Sequence, residues 1–206
     1  MTREGRETRW GAVVRADAVD RLTGSGWAAL EAHGVRTVLD LRNDDEVTPD
    51  RAPRPASLRT VRLPLDGVAH TDFWEHWASG PQFATPLYYG PHLERFPERS
   101  ARVIAAIAHA QSGGVLVHCV GGNDRTGQIA MLLLALAGVA PEDIAADYAL
   151  SAERIRHAEL VLSTLRALDV EARLRAGGLT DADLAALRDR LLRPPAAAAP
   201  PARPAR

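Results

Sequence analysis

Apolar residues follow two rhythms along the chain. In one, they cluster in short consecutive or alternating runs. Ala12-Val13-Val14 predicts an edge strand, and Val35-Arg36-Thr37-Val38-Leu39-Asp40-Leu41-Arg42, rich in β-branched residues, predicts a mostly buried one. Ser57 to Leu65, closed around Pro64, predicts a third strand, and Val115-Leu116-Val117 a fourth. In the other rhythm the spacing is helical. Ser25 to Ala32 predicts a short helix capped by Thr23 and stopped at His33-Gly34. Phe73, Trp74 and Trp77 predict a helix after Asp66, with the aromatics packing in a core or lid rather than touching substrate. Val103, Ile104, Ile107 and Ala108 mark an amphipathic helix within Pro97–Gln111, ended by Ser112-Gly113-Gly114. Ile129 to Leu136 predicts a buried helix ending near Gly138. Pro141-Glu142-Asp143 begins another, 153–168 forms the next, and Thr180 with Asp183 caps a last one over 184–192.

Strands alternating with helices predict a single α/β domain with a central, mainly parallel sheet, the helix-rich C-terminal half covering one face. Its expected span is 9–193. Residues 1–8 are polar and expected to fray, and 194–206 is an Ala/Pro/Arg tail expected to be disordered. The connection from Asp66 to Pro97 looks short for an elaborate two-helix lid.

Composition narrows the chemistry. With 206 residues, 46% hydrophobic and 25% charged, the chain fits a soluble globular protein with one sizeable core. A net charge of −1 gives no reason to expect a nucleic-acid partner. All 25 basic side chains are arginine, so cationic contacts to an anion must come from arginine or histidine. The single cysteine cannot form an internal disulfide, which fits a reducing compartment. Met1–Arg9 is charged and lacks the apolar core of a signal peptide, and the longest apolar run, Ile129 to Val139, is far short of the roughly 20 residues that span a bilayer. The expectation is a cytoplasmic protein with no membrane anchor.

The lone cysteine stands in His118-Cys119-Val120-Gly121-Gly122-Asn123-Asp124-Arg125-Thr126-Gly127, between a predicted strand and a predicted helix. A glycine-rich loop at a helix N-terminus aims backbone N–H groups at an anion. Cys119 is the candidate nucleophile: a thiol reacts as thiolate, and a ring of donors favours the charged form. Arg125, six positions on, has the planar fork that grips two phosphoryl oxygens. Val120, Gly121, Gly122 and Asn123, with Asp124 and Arg125, would cradle the phosphate. Thr126 offers a hydroxyl close to the sulfur. His118 is expected to orient the loop from behind, and Asp40 with Arg42 to hold it from beneath; Asp40 could equally accept loop N–H groups or pair with an arginine. Two carboxylates compete for the proton donor to the leaving oxygen: Asp124, inside the loop, and Asp66, past a strand end on a loop that could close over the site.

Cys-x5-Arg followed by Thr is the signature of protein tyrosine phosphatases. The longer string His-Cys-x-x-Gly-x-Asp-Arg-Thr-Gly resembles the atypical bacterial tyrosine/dual-specificity phosphatase family, itself similar to phosphoinositide phosphatases. Val38-Leu39-Asp40-Leu41-Arg42, Leu63-Pro64-Leu65, and Ala146-Asp147-Tyr148 with Ser151 resemble other segments of that family, so the likeness covers most of 10–170. It implies a tyrosine-phosphatase-like fold and hydrolysis of a phosphorylated protein or small phosphoester through a phosphocysteine intermediate. It implies no metal or other cofactor, with Cys119, Asp124 and Arg125 carrying the chemistry and Asp124 the acid. One departure stands out: members acting on phosphoinositides carry lysine where this chain has Asn123, which favours a less charged substrate. The competing readings are a phosphoinositide phosphatase, a non-catalytic phosphate-binding module on the same loop, and a rhodanese-type sulfur transferase, against which Asp124 and Arg125-Thr126-Gly127 argue.

Overall fold

The computed structural model describes residues 1–80, 82–151 and 155–194. Four strands, β1 (Val13–Ala16), β2 (Val35–Asp40), β3 (Arg59–Arg62) and β4 (Gly114–His118), form one sheet in the order β1-β4-β2-β3. Every neighbouring pair is parallel. All strands therefore end at the same edge, where open parallel sheets bind ligands. β4 is central and buried throughout. Its side chains alternate between two cores: Val115 and Val117 join the larger, Leu116 the smaller. β2 divides likewise, Leu39 to the larger core and Val35 and Val38 to the smaller. This two-sided burial is why both strands read as near-continuous apolar runs.

Helix α1 (Gly24–Ala32) covers the smaller core through buried Trp27. The larger core lies under α2 (Thr71–Ala78), α3 (Tyr89–Arg95), α4 (Pro97–Ala108), α5 (Asp124–Leu136), α6 (Pro141–Ala149), α7 (Ile155–Ala167), α8 (Val170–Ala176) and α9 (Asp181–Leu191). The caps read from sequence are present: Thr23 accepts from Gly26 N, and Thr180 with Asp183 forms a reciprocal capping box.

Three expectations are corrected. Residues 1–8 are docked rather than frayed: Thr2 bridges Val139, Thr8 bridges Leu192, and Arg193 N donates to Glu7 O at 2.9 Å. These long-range backbone pairs are invisible to local polarity. The third strand is confined to Arg59–Arg62, shorter than the run from Ser57 to Leu65, although on either side of Pro64 Leu63 N and Leu65 N still donate to Asp40 O and Leu41 O at 2.8 and 3.2 Å. The 66–97 connection does hold two helices, α2 and α3, joined through a 3-10 turn at Pro86–Tyr88. Of the tail 194–206, all but Pro194 lies outside the described residues, as do residues 153–154 of the helix expected over 153–168. Among the described residues, no helix is long and apolar enough to cross a membrane.

Candidate active site

The loop leaves the carboxyl end of β4 and enters α5, as its strand-glycine-helix pattern requires. Its carbonyls are drawn outward: His118 O accepts from Leu41 N at 3.0 Å, Val120 O from Ala18 N at 2.9 Å, and Asp124 O from the Tyr89 hydroxyl at 2.8 Å. Among the described residues, no protein acceptor takes the backbone N–H groups of Val120, Gly121, Gly122 or Asn123. Together with the positive end of α5 they form an anion-binding concavity. Gly122 is required twice over. Its φ is +69°, and a Cβ there would lie 2.7 Å from Ala16 O. Gly127 permits close packing instead, since a Cβ would meet the Tyr148 ring at 2.8 Å. That contact, with the Arg15–Asp147 ion pair at 2.9 Å, ties the Asp147-Tyr148 segment to the loop helix and to β1.

Cys119 is buried at the loop's start, and the Thr126 hydroxyl donates to its Sγ at 3.2 Å. Arg125 turns its guanidinium onto two carboxylates. Nη1 and Nη2 engage Glu46 in a bidentate pair, with Nη2–Oε1 at 2.7 Å, and Nη1 lies 3.1 Å from Asp66 Oδ2. These contacts leave Nε and the outer Nη2 proton, a parallel pair of donors, for an incoming anion. Glu46 is a site residue that the sequence reading missed. It sits in an acidic loop with Asp44 and Asp45 that reads as solvated, 79 positions from its partner. Its only local signal is the capping turn it makes with Asn43, whose N–H donates to Glu46 Oε2 at 2.8 Å. Asn43, also missed, donates its Nδ2 to Asp66 Oδ2 at 2.9 Å.

Asp66, Asp124 and Arg125 share the wall of a pocket of about 280 Å³. Trp74, Tyr88, Phe83 and Val68 form its apolar side, so Trp74 lines the site as well as packing beneath it. Burial raises the Asp66 carboxyl above its usual value, although Arg125 and Asn43 pull the other way. A larger hollow of about 660 Å³ opens around Trp10, Gly113 and Arg190, at the amino end of β4 and away from the loop. Among the described residues, no cluster of His, Cys, Asp or Glu could hold a metal ion.

Beneath the loop, both readings of Asp40 hold together. Its carboxylate accepts from Arg42 N at 3.0 Å and pairs with Arg42 Nη2 at 2.9 Å. Arg42 also pairs with Asp20, which takes a 2.7 Å bond from Thr48. His118 is fully buried, its Nδ1 donating to Cys119 O at 3.1 Å and its Nε2 3.7 Å from Asp40. Burial pushes His118 down in pKa, against the pull of Asp40, so it is neutral at pH 7. For Asp20 and Asp40, burial alone would raise the carboxyls, but bonds from Arg42, with help from Thr48 and His118, hold both below their usual value. Stabilisation from these carboxylates is therefore complete above the unfolded value of about 4 and is lost as pH falls through the folded values. Acid unfolding should steepen below about pH 4. Arg42→Leu, which strands two buried carboxylates, should cost about 3–5 kcal/mol at pH 7 in urea unfolding. An unchanged midpoint would contradict the network's role.

A family model described as the tyrosine phosphatase family matches residues 1–173. The chain is 38% identical over 143 residues to a tyrosine-protein phosphatase of Nostoc commune, covering 68% of this chain and 48% of that protein. It is 28% identical over 169 residues to the triple specificity protein phosphatase PtpB of Mycobacterium tuberculosis, covering 68% of this chain and 60% of PtpB. The chain thus spans about half to three fifths of the length of these curated relatives. In fold it is similar to P. aeruginosa TpbA, crystallised in complex with pTyr, with a TM-score of 0.53 and 17% identity over 87% of this chain and 100% of the other.

Proposed function

The chain belongs to the tyrosine phosphatase family, and on that premise we propose that it hydrolyses aryl phosphomonoesters, phosphotyrosine in proteins foremost, through a phosphocysteine intermediate. The observation that carries this reading is the conjunction, at one helix N-terminus, of Cys119, four loop N–H groups with no acceptor among the described residues, and the edge of Arg125 that Glu46 and Asp66 do not occupy. The phosphoryl group sits in the loop, with its oxygens on the backbone donors and the Nε/Nη2 edge of Arg125. These donors gain strength as charge spreads over the equatorial oxygens in the transition state. Cys119 Sγ attacks phosphorus, the S–P bond forms, and the P–O bond to the leaving group breaks. Asp124, on the pocket wall beside Arg125, gives its proton to the leaving oxygen. Thr126 donates to the sulfur and so helps it leave again as thiolate when the intermediate breaks down. Glu46 holds the guanidinium in register, and Asp40, Arg42 and His118 support the loop from below. The cytoplasm is the proposed compartment.

The pocket explains why an aryl ester is favoured. Its apolar side, formed by Trp74, Tyr88, Phe83 and Val68, suits a flat ring, and Cys119 is buried. A phosphoserine side chain is shorter and has no ring to fill that space. Asn123 adds no charge for a second phosphate. In a panel of phosphotyrosine peptide, phosphoserine peptide and an inositol phospholipid, kcat/KM for phosphotyrosine should be highest, by at least about tenfold, the scale of one to two kcal/mol of pocket contact. A higher value for the phospholipid would move the assignment to phosphoinositides.

A further inference from the structure

Tyr88 carries an unpaired hydroxyl where an unpaired hydroxyl is costly. The residue ends the 3-10 turn at Pro86–Tyr88 and is only 5% exposed. Its ring packs edge-on against Trp74, Tyr89 and His92, with centroids 5.8, 5.1 and 6.2 Å away. Among the described residues the hydroxyl has no hydrogen-bond partner, and it is not sealed in the core: it opens on the pocket that Asp66, Asp124 and Arg125 share. Buried polar groups are nearly always paired, so an unpaired one on a pocket wall points to a ligand.

The wall around it is fixed. Trp74 Nε1 of α2 donates to Asp66 O at 3.0 Å, His92 Nε2 of α3 to Leu65 O at 3.2 Å, and Arg99 Nη1 of α4 to Pro64 O at 3.1 Å. These three consecutive anchors correct the expectation that Asp66 rides on a loop able to close over the site. They also fix where the Tyr88 hydroxyl can reach, which is the seam of the pocket. Its ring belongs to the apolar side with Trp74, Phe83 and Val68, while Asp66, Asp124, Arg125 and Cys119 all act electrostatically on its hydroxyl end. In an aryl phosphate the atom at that seam is the ester oxygen, between a flat ring on the apolar side and a phosphoryl group in the loop. In the mechanism above, the non-bridging oxygens have the loop N–H groups and the Nε/Nη2 edge of Arg125. The ester oxygen has Asp124 alone.

We propose that Tyr88 is a further catalytic residue, its hydroxyl donating a hydrogen bond to the ester oxygen as the P–O bond breaks. The assignment rests on the phosphatase reading above. Cys119 Sγ bonds to phosphorus, and the electron pair of the P–O bond passes to the ester oxygen. That oxygen takes a proton from Asp124 on one lone pair and the Tyr88 hydrogen bond on another. Tyr88 keeps its own proton throughout: burial, with the charges of Asp66 and Asp124, raises its pKa well above the usual value, so it is a neutral donor at pH 7. A donor aimed where charge develops acts more strongly in the transition state than in the bound ester.

The contact is read by kcat/KM for a series of aryl phosphates, measured on wild type and Tyr88→Phe, because the charge left on the ester oxygen grows as the leaving phenol becomes a weaker acid. The variant should lose about threefold with p-nitrophenyl phosphate, whose phenolate spreads its charge into the nitro group, and about 30-fold with phenyl phosphate, the scale of one hydrogen bond to a charged group. Competitive inhibition by inorganic phosphate, which has no ester oxygen, should change by less than about twofold, and Tm should hold or rise slightly, since the fold loses only an unpaired hydroxyl. A loss equal across the series would make Tyr88 a wall contact and overturn the proposal. So would a hold on inorganic phosphate weakened about tenfold, which would put the hydroxyl on a non-bridging oxygen. A variant with a clearly lowered Tm, or one that does not fold, would place the hydroxyl in the fold and overturn it too. Absence of any Cys119-dependent release by wild type would instead sink the phosphatase reading itself.

Discussion

Cys119→Ser should lose about 10⁴-fold or more in kcat towards p-nitrophenyl phosphate while keeping the fold and the affinity for phosphotyrosine. The two effects separate because different atoms produce them. In the proposed mechanism affinity comes from the N–H groups of Val120–Asn123 and from Arg125, none of which the substitution touches. Reaction needs a nucleophile that is anionic near neutral pH, and a serine hydroxyl is not. The exchange replaces one buried atom with a smaller one that can still accept from Thr126, so Tm should move little. The measurement is steady-state hydrolysis alongside calorimetric binding of a phosphotyrosine peptide. Equal residual rates for both proteins would mean that the loop binds phosphate without turning it over.

Arg125→Lys should lose about 10³-fold in kcat/KM, or about 4 kcal/mol of transition-state stabilisation. The charge is retained, so the loss isolates the planar fork. A lysine ammonium can reach one oxygen of Glu46 or one of a phosphate, but not a bidentate edge on each. The variant should also be less stable, since Arg125 is 12% exposed and Glu46 and Asp66 depend on it. Urea unfolding, measured in parallel, distinguishes the two losses. A variant that binds phosphotyrosine as wild type does, with kcat unchanged, would remove Arg125 from the anion grip.

The loop was legible because its signals are local. Strand, glycines, cysteine and arginine lie within about a dozen residues, and backbone connectivity alone brings them together at a helix N-terminus. Asp40-Leu41-Arg42 was legible for a related reason, since an acid and a base two apart on a buried strand must satisfy each other or find another partner. Helix α3 was not. Tyr89–Arg95 contains Gly90 and Pro91, poor helix formers, and tertiary packing of Tyr89, His92 and Leu93 outweighs propensity there.

The sequence by itself determined the parallel α/β arrangement, the strand-loop-helix that presents Cys119, and the residue types facing an anion, because period, glycine placement and helix polarity act over short distances. Tertiary structure alone decided which carboxylates meet Arg125 and how Asp66 is held. Glu46 reaches Arg125 across 79 positions, and Asp66 is pinned by side chains from three helices. Hydrogen bonds and ion pairs carry no sequence period. Their partners exist only once the sheet order β1-β4-β2-β3 has brought the strand ends to one edge.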